Sequence, residues 1–99
     1  MKVYRGEINV KTSGEGDLID LNGKIEEQIK KSGVKEGVLH LFAVDYNGHS
    51  HVRASIIGPS ISIPIGDGKP ILGTWQQVVL VELDTRPRSR KIVATVIGE

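Results

Sequence analysis

The chain has 99 residues, 38% of them hydrophobic and 25% charged, with a formal net charge of +1 and no cysteine. That length fits one domain spanning residues 1–99 and buries roughly 65% of the surface its unfolded form exposes. The near-neutral charge gives no pull toward nucleic acid or an anionic membrane, and the lack of cysteine excludes disulfide and thiolate chemistry. No apolar run is long enough to span a bilayer, and the start Met1-Lys2-Val3-Tyr4-Arg5-Gly6 lacks a signal-peptide pattern, so the expected location is the cytoplasm.

Residues 2–12 alternate loosely, with Tyr4, Ile8 and Val10 on one side and Arg5, Glu7, Asn9 and Lys11 on the other, which predicts a strand near a sheet edge. Ser13-Gly14-Glu15-Gly16 reads as a loop. A helix is expected over residues 23–32, with Asn22 as N-cap, Ile25 and Ile29 sharing one face, and Gly33 as the left-handed stop. Glu26–Lys30 and Glu27–Lys31 are favourable i,i+4 pairs on the opposite face.

Residues 37–44 form an apolar run broken by His40, the pattern of a strand covered on both faces. Residues 49–57 read two ways. Val52, Ala54 and Ile56 alternate as in a strand. Val52, Ile56 and Ile57 also fit one helix face, with Asn47 as cap and Gly58-Pro59 as stop, although Asn47-Gly48 is equally a hairpin signal.

Ile61, Ile63 and Ile65 alternate with Ser60, Ser62 and Pro64, and Gly66-Asp67-Gly68 supplies a tight reversal. A second, longer strand is expected over residues 71–83, making a hairpin. Within it stands Gly73-Thr74-Trp75-Gln76, where a plain strand would carry Val or Ile. Glycine inside a strand marks a bulge or a close approach. Val78-Val79-Leu80-Val81 is apolar on both faces, so a small domain needs something besides its own helices to cover it. Residues 91–97 complete the sheet.

The spacing Ser60, Ile63, Ile65, Gly68, Gly73-Thr74-Trp75-Gln76, Val78 resembles the signature of the YjbQ-type family, small proteins credited with a secondary thiamine-phosphate synthase activity. Asn47-Gly48-His49-Ser50-His51-Val52-Arg53-Ala54-Ser55 is similar to that family's Asn-x-His-x-His helix start. Val81-Glu82-Leu83-Asp84 with Arg86-Pro87-Arg88-Ser89-Arg90 is similar to its last hairpin, and residues 17–33 to its first helix. The resemblance favours a helix at residues 49–57. The predicted fold is therefore α+β: about five mostly antiparallel strands packed against two short helices. The resemblance further implies a homotrimer, in agreement with the doubly apolar strand. One departure is large. Family members carry several dozen further residues after the strand equivalent to residues 38–44, opening with a His-Thr-Thr-like motif. Here Val44 is followed by Asp45-Tyr46 and then Asn47, as in a trimmed or engineered scaffold.

Four groups carry candidate chemistry. His49 and His51 are candidate ligands for a divalent metal such as zinc; on a strand they share a face, whereas in a helical first turn they diverge. The bland alternative is a pair of solvated or capping histidines. Arg53, Arg86 and Arg88, with Arg90 and Lys91, are candidate phosphate binders, or else a solvated hairpin tip that discourages edge pairing. Gly73, Thr74, Trp75 and Gln76 suit a pocket for a flat ring, but a lone tryptophan is equally a core or interface anchor. Glu82, between Val81 and Leu83, is a candidate subunit contact. Together these readings give a self-associating core of a thiamine-phosphate-synthase-like protein, with weak or no activity because part of the site is missing. The alternative is an active transferase binding phosphorylated pyrimidine and thiazole ligands.

Overall fold

A computed structural model describes residues 1–14, 16–44, 59–82 and 89–99. Its elements are β1 (Lys2–Lys11), β2 (Leu18–Asp20), α1 (Asn22–Ser32), β3 (Gly37–Val44), β4 (Ser60–Gly66), β5 (Lys69–Pro70), β6 (Val79–Val81) and β7 (Ser89–Gly98). Five strands form an antiparallel sheet in the order β1-β7-β3-β4-β5, and β2 pairs with β6 in a separate antiparallel ribbon. With α1 against the sheet this is an α+β fold, as expected. The second expected helix, residues 49–57, lies outside the described residues.

Register explains the core. β1 and β7 pair over ten residues, from Lys2 opposite Gly98 to Lys11 opposite Ser89. One sheet face then collects Ile8, Val10, Leu39, Leu41, Ile63, Ile65, Ile92, Ala94 and Val96, against Leu21, Ile25, Ile29 and Val34 from the helix layer. Ile25 and Ile29 are buried as their four-residue spacing predicts. Gly33 closes α1 at φ 72°, and Lys31 pairs with Glu27 at 3.1 Å. β1 is indeed an edge strand. Its Gly6 lies under the helix, where a Cβ would sit 2.1 Å from Gln28 Oε1.

Several expectations change. Asn22 does not cap α1; Leu21 holds that position, and Asn22 Oδ1 accepts the Val78 N–H at 2.8 Å. The asparagine thus ties the helix start to the arm arriving from β5. The resemblance-based helix over residues 17–33 is shortened by β2, because Ile19 turns inward and pairs with Leu80. Of the single strand expected over residues 71–83, only β6 forms among the described residues, while the short β5 precedes it. β5 follows a reversal in which Asp67 and Gly68 both take positive φ, 52° and 74°. The chain then leaves the sheet and rejoins structure only as β6. The terminal strand begins at Ser89, earlier than expected.

β3 is covered on one face, not two. Leu39 and Leu41 are buried, while Val38 and Phe42 are 46% and 43% exposed. On that outer face Val3, Ile97, Val38 and Pro64 form one cross-strand row. The next row is Arg5, Thr95, His40 and Ser62, with the His40 Nδ1 and Ser62 Oγ 2.9 Å apart. The third is Glu7, Val93, Phe42 and Ser60. An antiparallel sheet with one solvated face normally carries polar residues there; here the second row is polar, the third mixes Val93 and Phe42 with Glu7 and Ser60, and the first is wholly apolar.

Candidate functional site

The topology brings the two chemistry-bearing segments to one end of the sheet. Residues 45–58 leave β3 at Val44 and return at Pro59, whose carbonyl accepts the Ala43 N–H at 2.8 Å. Residues 83–88 connect Glu82 to Ser89 at the start of β7. Val44 stands opposite Lys91, so the end of β3 and the start of β7 lie side by side at one end of the sheet. His49, His51, Arg53, Arg86 and Arg88 are on these segments and lie outside the described residues. Among the described residues no group of three or more His, Asp or Glu side chains is placed to hold a metal ion.

At the base of this end lies a buried charge network. Glu82 is 1% exposed. Its Oε1 accepts from Arg90 Nε at 2.9 Å and from Thr12 Oγ1 at 2.6 Å, and its Oε2 accepts from Arg90 Nη2 at 2.6 Å. The fork-to-fork geometry is the strong form of a guanidinium–carboxylate pair. The Glu82 backbone is also engaged: its N–H donates to Asp17 O at 3.0 Å, and its carbonyl accepts the Gly16 N–H at 3.0 Å. Asp17 in turn accepts from the Ser13 N–H and hydroxyl. Glu82 is therefore buried within its own chain rather than facing a subunit, and Arg90 is turned toward it. Lys91 pairs with Glu7 across the outer face at 3.1 Å. Sequence reading grouped Arg90 with the phosphate-binding arginines; what it missed was the carboxylate eight residues earlier. The signal was there in Glu82, a charged residue between Val81 and Leu83.

The Gly73–Gln76 tetrapeptide forms a turn, not a strand. The Gly73 N–H donates to Gln76 Oε1 at 2.6 Å and the Gln76 N–H donates to Gly73 O at 3.0 Å. The amide of Gln76 folds back over Gly73, where a Cβ would meet its Oε1 at 3.0 Å. Thr74 is exposed at the tip, and Trp75 is 95% exposed. The turn is thus held by Gln76 and presents an uncovered indole. On the adjoining ribbon, Leu18, Val79 and Val81 share the outward face while Ile19 and Leu80 pack on the core. No helix among the described residues is long and apolar enough to cross a membrane.

A family model described as "UPF0047 protein YjbQ-like" matches residues 43–99. A UPF0047 protein of Methanothermobacter thermautotrophicus is 28% identical over 137 aligned positions, covering 100% of this chain and 95% of the relative. The YjbQ protein of Salmonella typhimurium is 41% identical over 59 positions, covering 56% of this chain and 43% of that one. Among solved structures, a protein of unknown function from Sulfolobus solfataricus superposes with a TM-score of 0.86 at 26% identity, over 99% of both chains. A hypothetical protein from Aeropyrum pernix gives 0.84 at 27% identity, over 97% of this chain and 99% of that one.

Proposed function

The chain belongs to the YjbQ/UPF0047 family, and from that premise we propose that it is the self-associating, trimer-forming core of a thiamine-phosphate-synthase-like protein with little or no synthase activity. The observation that carries this is one of length. The alignment with the Methanothermobacter relative runs 137 positions against the 99 residues present here. It leaves room for the several dozen residues that the resemblance expects between Val44 and Asn47.

Transferring a phosphorylated pyrimidine onto a thiazole phosphate depends on positioning and on stabilising the departing pyrophosphate charge. The shortened segment removes candidate groups for both tasks. What remains suits weak phosphate binding: Arg53, Arg86 and Arg88 sit on segments anchored at neighbouring strand ends, with Trp75 and its turn as the ring-facing element. His49 and His51 remain candidates for a divalent metal such as zinc. Self-association is supported by Val3, Val38, Ile97 and Phe42 on the outer sheet face and by Trp75, Leu18 and Val79, all exposed in the single chain.

Titration with pyrophosphate and with thiamine phosphate, followed by Trp75 fluorescence, tests the ligand reading. Binding in the millimolar range without synthase turnover is the expected result. No fluorescence change at millimolar ligand removes the phosphate site, and turnover at an ordinary enzymatic rate replaces this reading with the active transferase.

A further inference from the structure

We propose that His40 is an acid-release switch for self-association: copies hold together while its ring is neutral and separate when it takes up a second proton. The inference rests on the self-association reading above and names how that surface is regulated. His40 breaks the apolar run of β3 and stands exposed in the middle of the outer sheet face. Val38 and Phe42, two residues to either side, share that face and are exposed with it. Across the sheet His40 lies opposite Thr95 on β7 and Ser62 on β4. A surface that covers Val38 and Phe42 therefore covers His40 as well.

The neighbours of His40 decide what its charge does there. Ser62 Oγ lies 2.9 Å from Nδ1, and a hydroxyl serves either protonation state of the ring, because it can donate or accept. No carboxylate stands in this row. Arg5, beyond Thr95, leans its Nε onto Thr95 Oγ1 at 3.4 Å, which brings a fixed positive charge toward His40. Within the strands the one carboxylate on this face is Glu7, in the neighbouring row, and Lys91 holds it at 3.1 Å. Lys11 and Lys69 stand at the margins of the face, opposite Ser89 and Gly66. Past the strand ends, Glu99 pairs with the Met1 amine at 3.2 Å. Covering the face disfavours a charged imidazole by removing water, and the nearby guanidinium disfavours it again. The assembled state therefore binds fewer protons than the separate chains. Association is full at neutral and alkaline pH and is lost as the pH falls. Histidine is the side chain that changes charge between about pH 8 and 5.

The test is sedimentation of the full chain over a concentration series at about pH 8 and about pH 5.5, with circular dichroism on the same samples. Wild type should associate at least about tenfold more weakly at the lower pH while staying folded. His40→Gln, uncharged and still able to bond Ser62, should associate equally at both. His40→Arg, charged throughout, should be as weak at about pH 8 as wild type is in acid. Wild type that associates equally or more tightly in acid overturns the switch, and so does an acid loss that persists in His40→Gln. A wild type that is monomeric at about pH 8 removes the self-association reading itself, and the switch with it. If acid unfolds the chain, His40→Arg at about pH 8 decides, and undiminished association there overturns the proposal.

Discussion

Replacing Trp75 with alanine separates what the chain needs for its own fold from what it offers to something else. A tryptophan side chain presents about 250 Å² of surface. At 95% exposure, the single chain covers about 12 Å² of it, worth about 0.3 kcal/mol at 25 cal/mol/Å². Trp75→Ala should therefore change the unfolding free energy of the monomer by less than about 0.5 kcal/mol. If a second copy covers even half of the indole, about 3 kcal/mol is at stake, which places it among interface hot spots. That corresponds to roughly a hundredfold weaker association. The assay pairs urea unfolding at the lowest workable protein concentration with sedimentation across a concentration series, because association makes apparent stability concentration-dependent. Calorimetric pyrophosphate titration replaces fluorescence once the indole is gone. A concentration-independent loss above about 1 kcal/mol would refute the reasoning, since the indole would then be packed within its own chain. Unchanged association together with unchanged pyrophosphate binding would refute it from the other side.

Gly6→Ala should cost less than about 1 kcal/mol in chemical unfolding, because the atoms a new Cβ would meet, Gln28 Oε1 and Tyr4 Oη, are the far ends of flexible side chains that can move aside. The backbone at Gly6 is not at positive φ, so no backbone strain adds to this; a loss of about 3 kcal/mol or more contradicts it. Val38→Lys, on the outer sheet face, should leave monomer stability within about 0.5 kcal/mol while abolishing self-association by sedimentation. Retained association would mean that the apolar row of Val3, Ile97, Val38 and Pro64 is not what the copies share.

The elements with a single dominant periodicity were legible in the sequence. Ile25 and Ile29 located the helix face, Gly33 its end, and the serine–isoleucine alternation of β4 its buried side. The edge position of β1 followed from its loose alternation and its charged side chains. What was not legible was pairing between distant segments. The expected strand over residues 71–83 failed because β6 finds its partner in Leu18–Asp20, some sixty residues earlier, and because the amide of Gln76 turns back onto Gly73 instead of extending. Asn22 looks like a cap by type and position, yet its side chain serves Val78, a long-range demand that no local pattern encodes. The continuous apolar run of β3 suggested two covered faces; one of them is the outer face that the single chain leaves open. Likewise, the Gly-Thr-Trp-Gln motif announced something unusual, but only its hydrogen bonds divide the work, with Gln76 holding the turn and Trp75 displayed by it. Glu82 and Arg90 were both noticed as charged residues, and only the approach of Glu82, just past β6, to Arg90 in β7 makes them a pair.

The account stands most directly on the mass of the wild-type protein in dilute buffer. Sedimentation equilibrium at micromolar concentration should return three times the 10.8 kDa chain mass, with dissociation on dilution. A single species of 10.8 kDa across that range, folded and with its apolar sheet face in water, would contradict it.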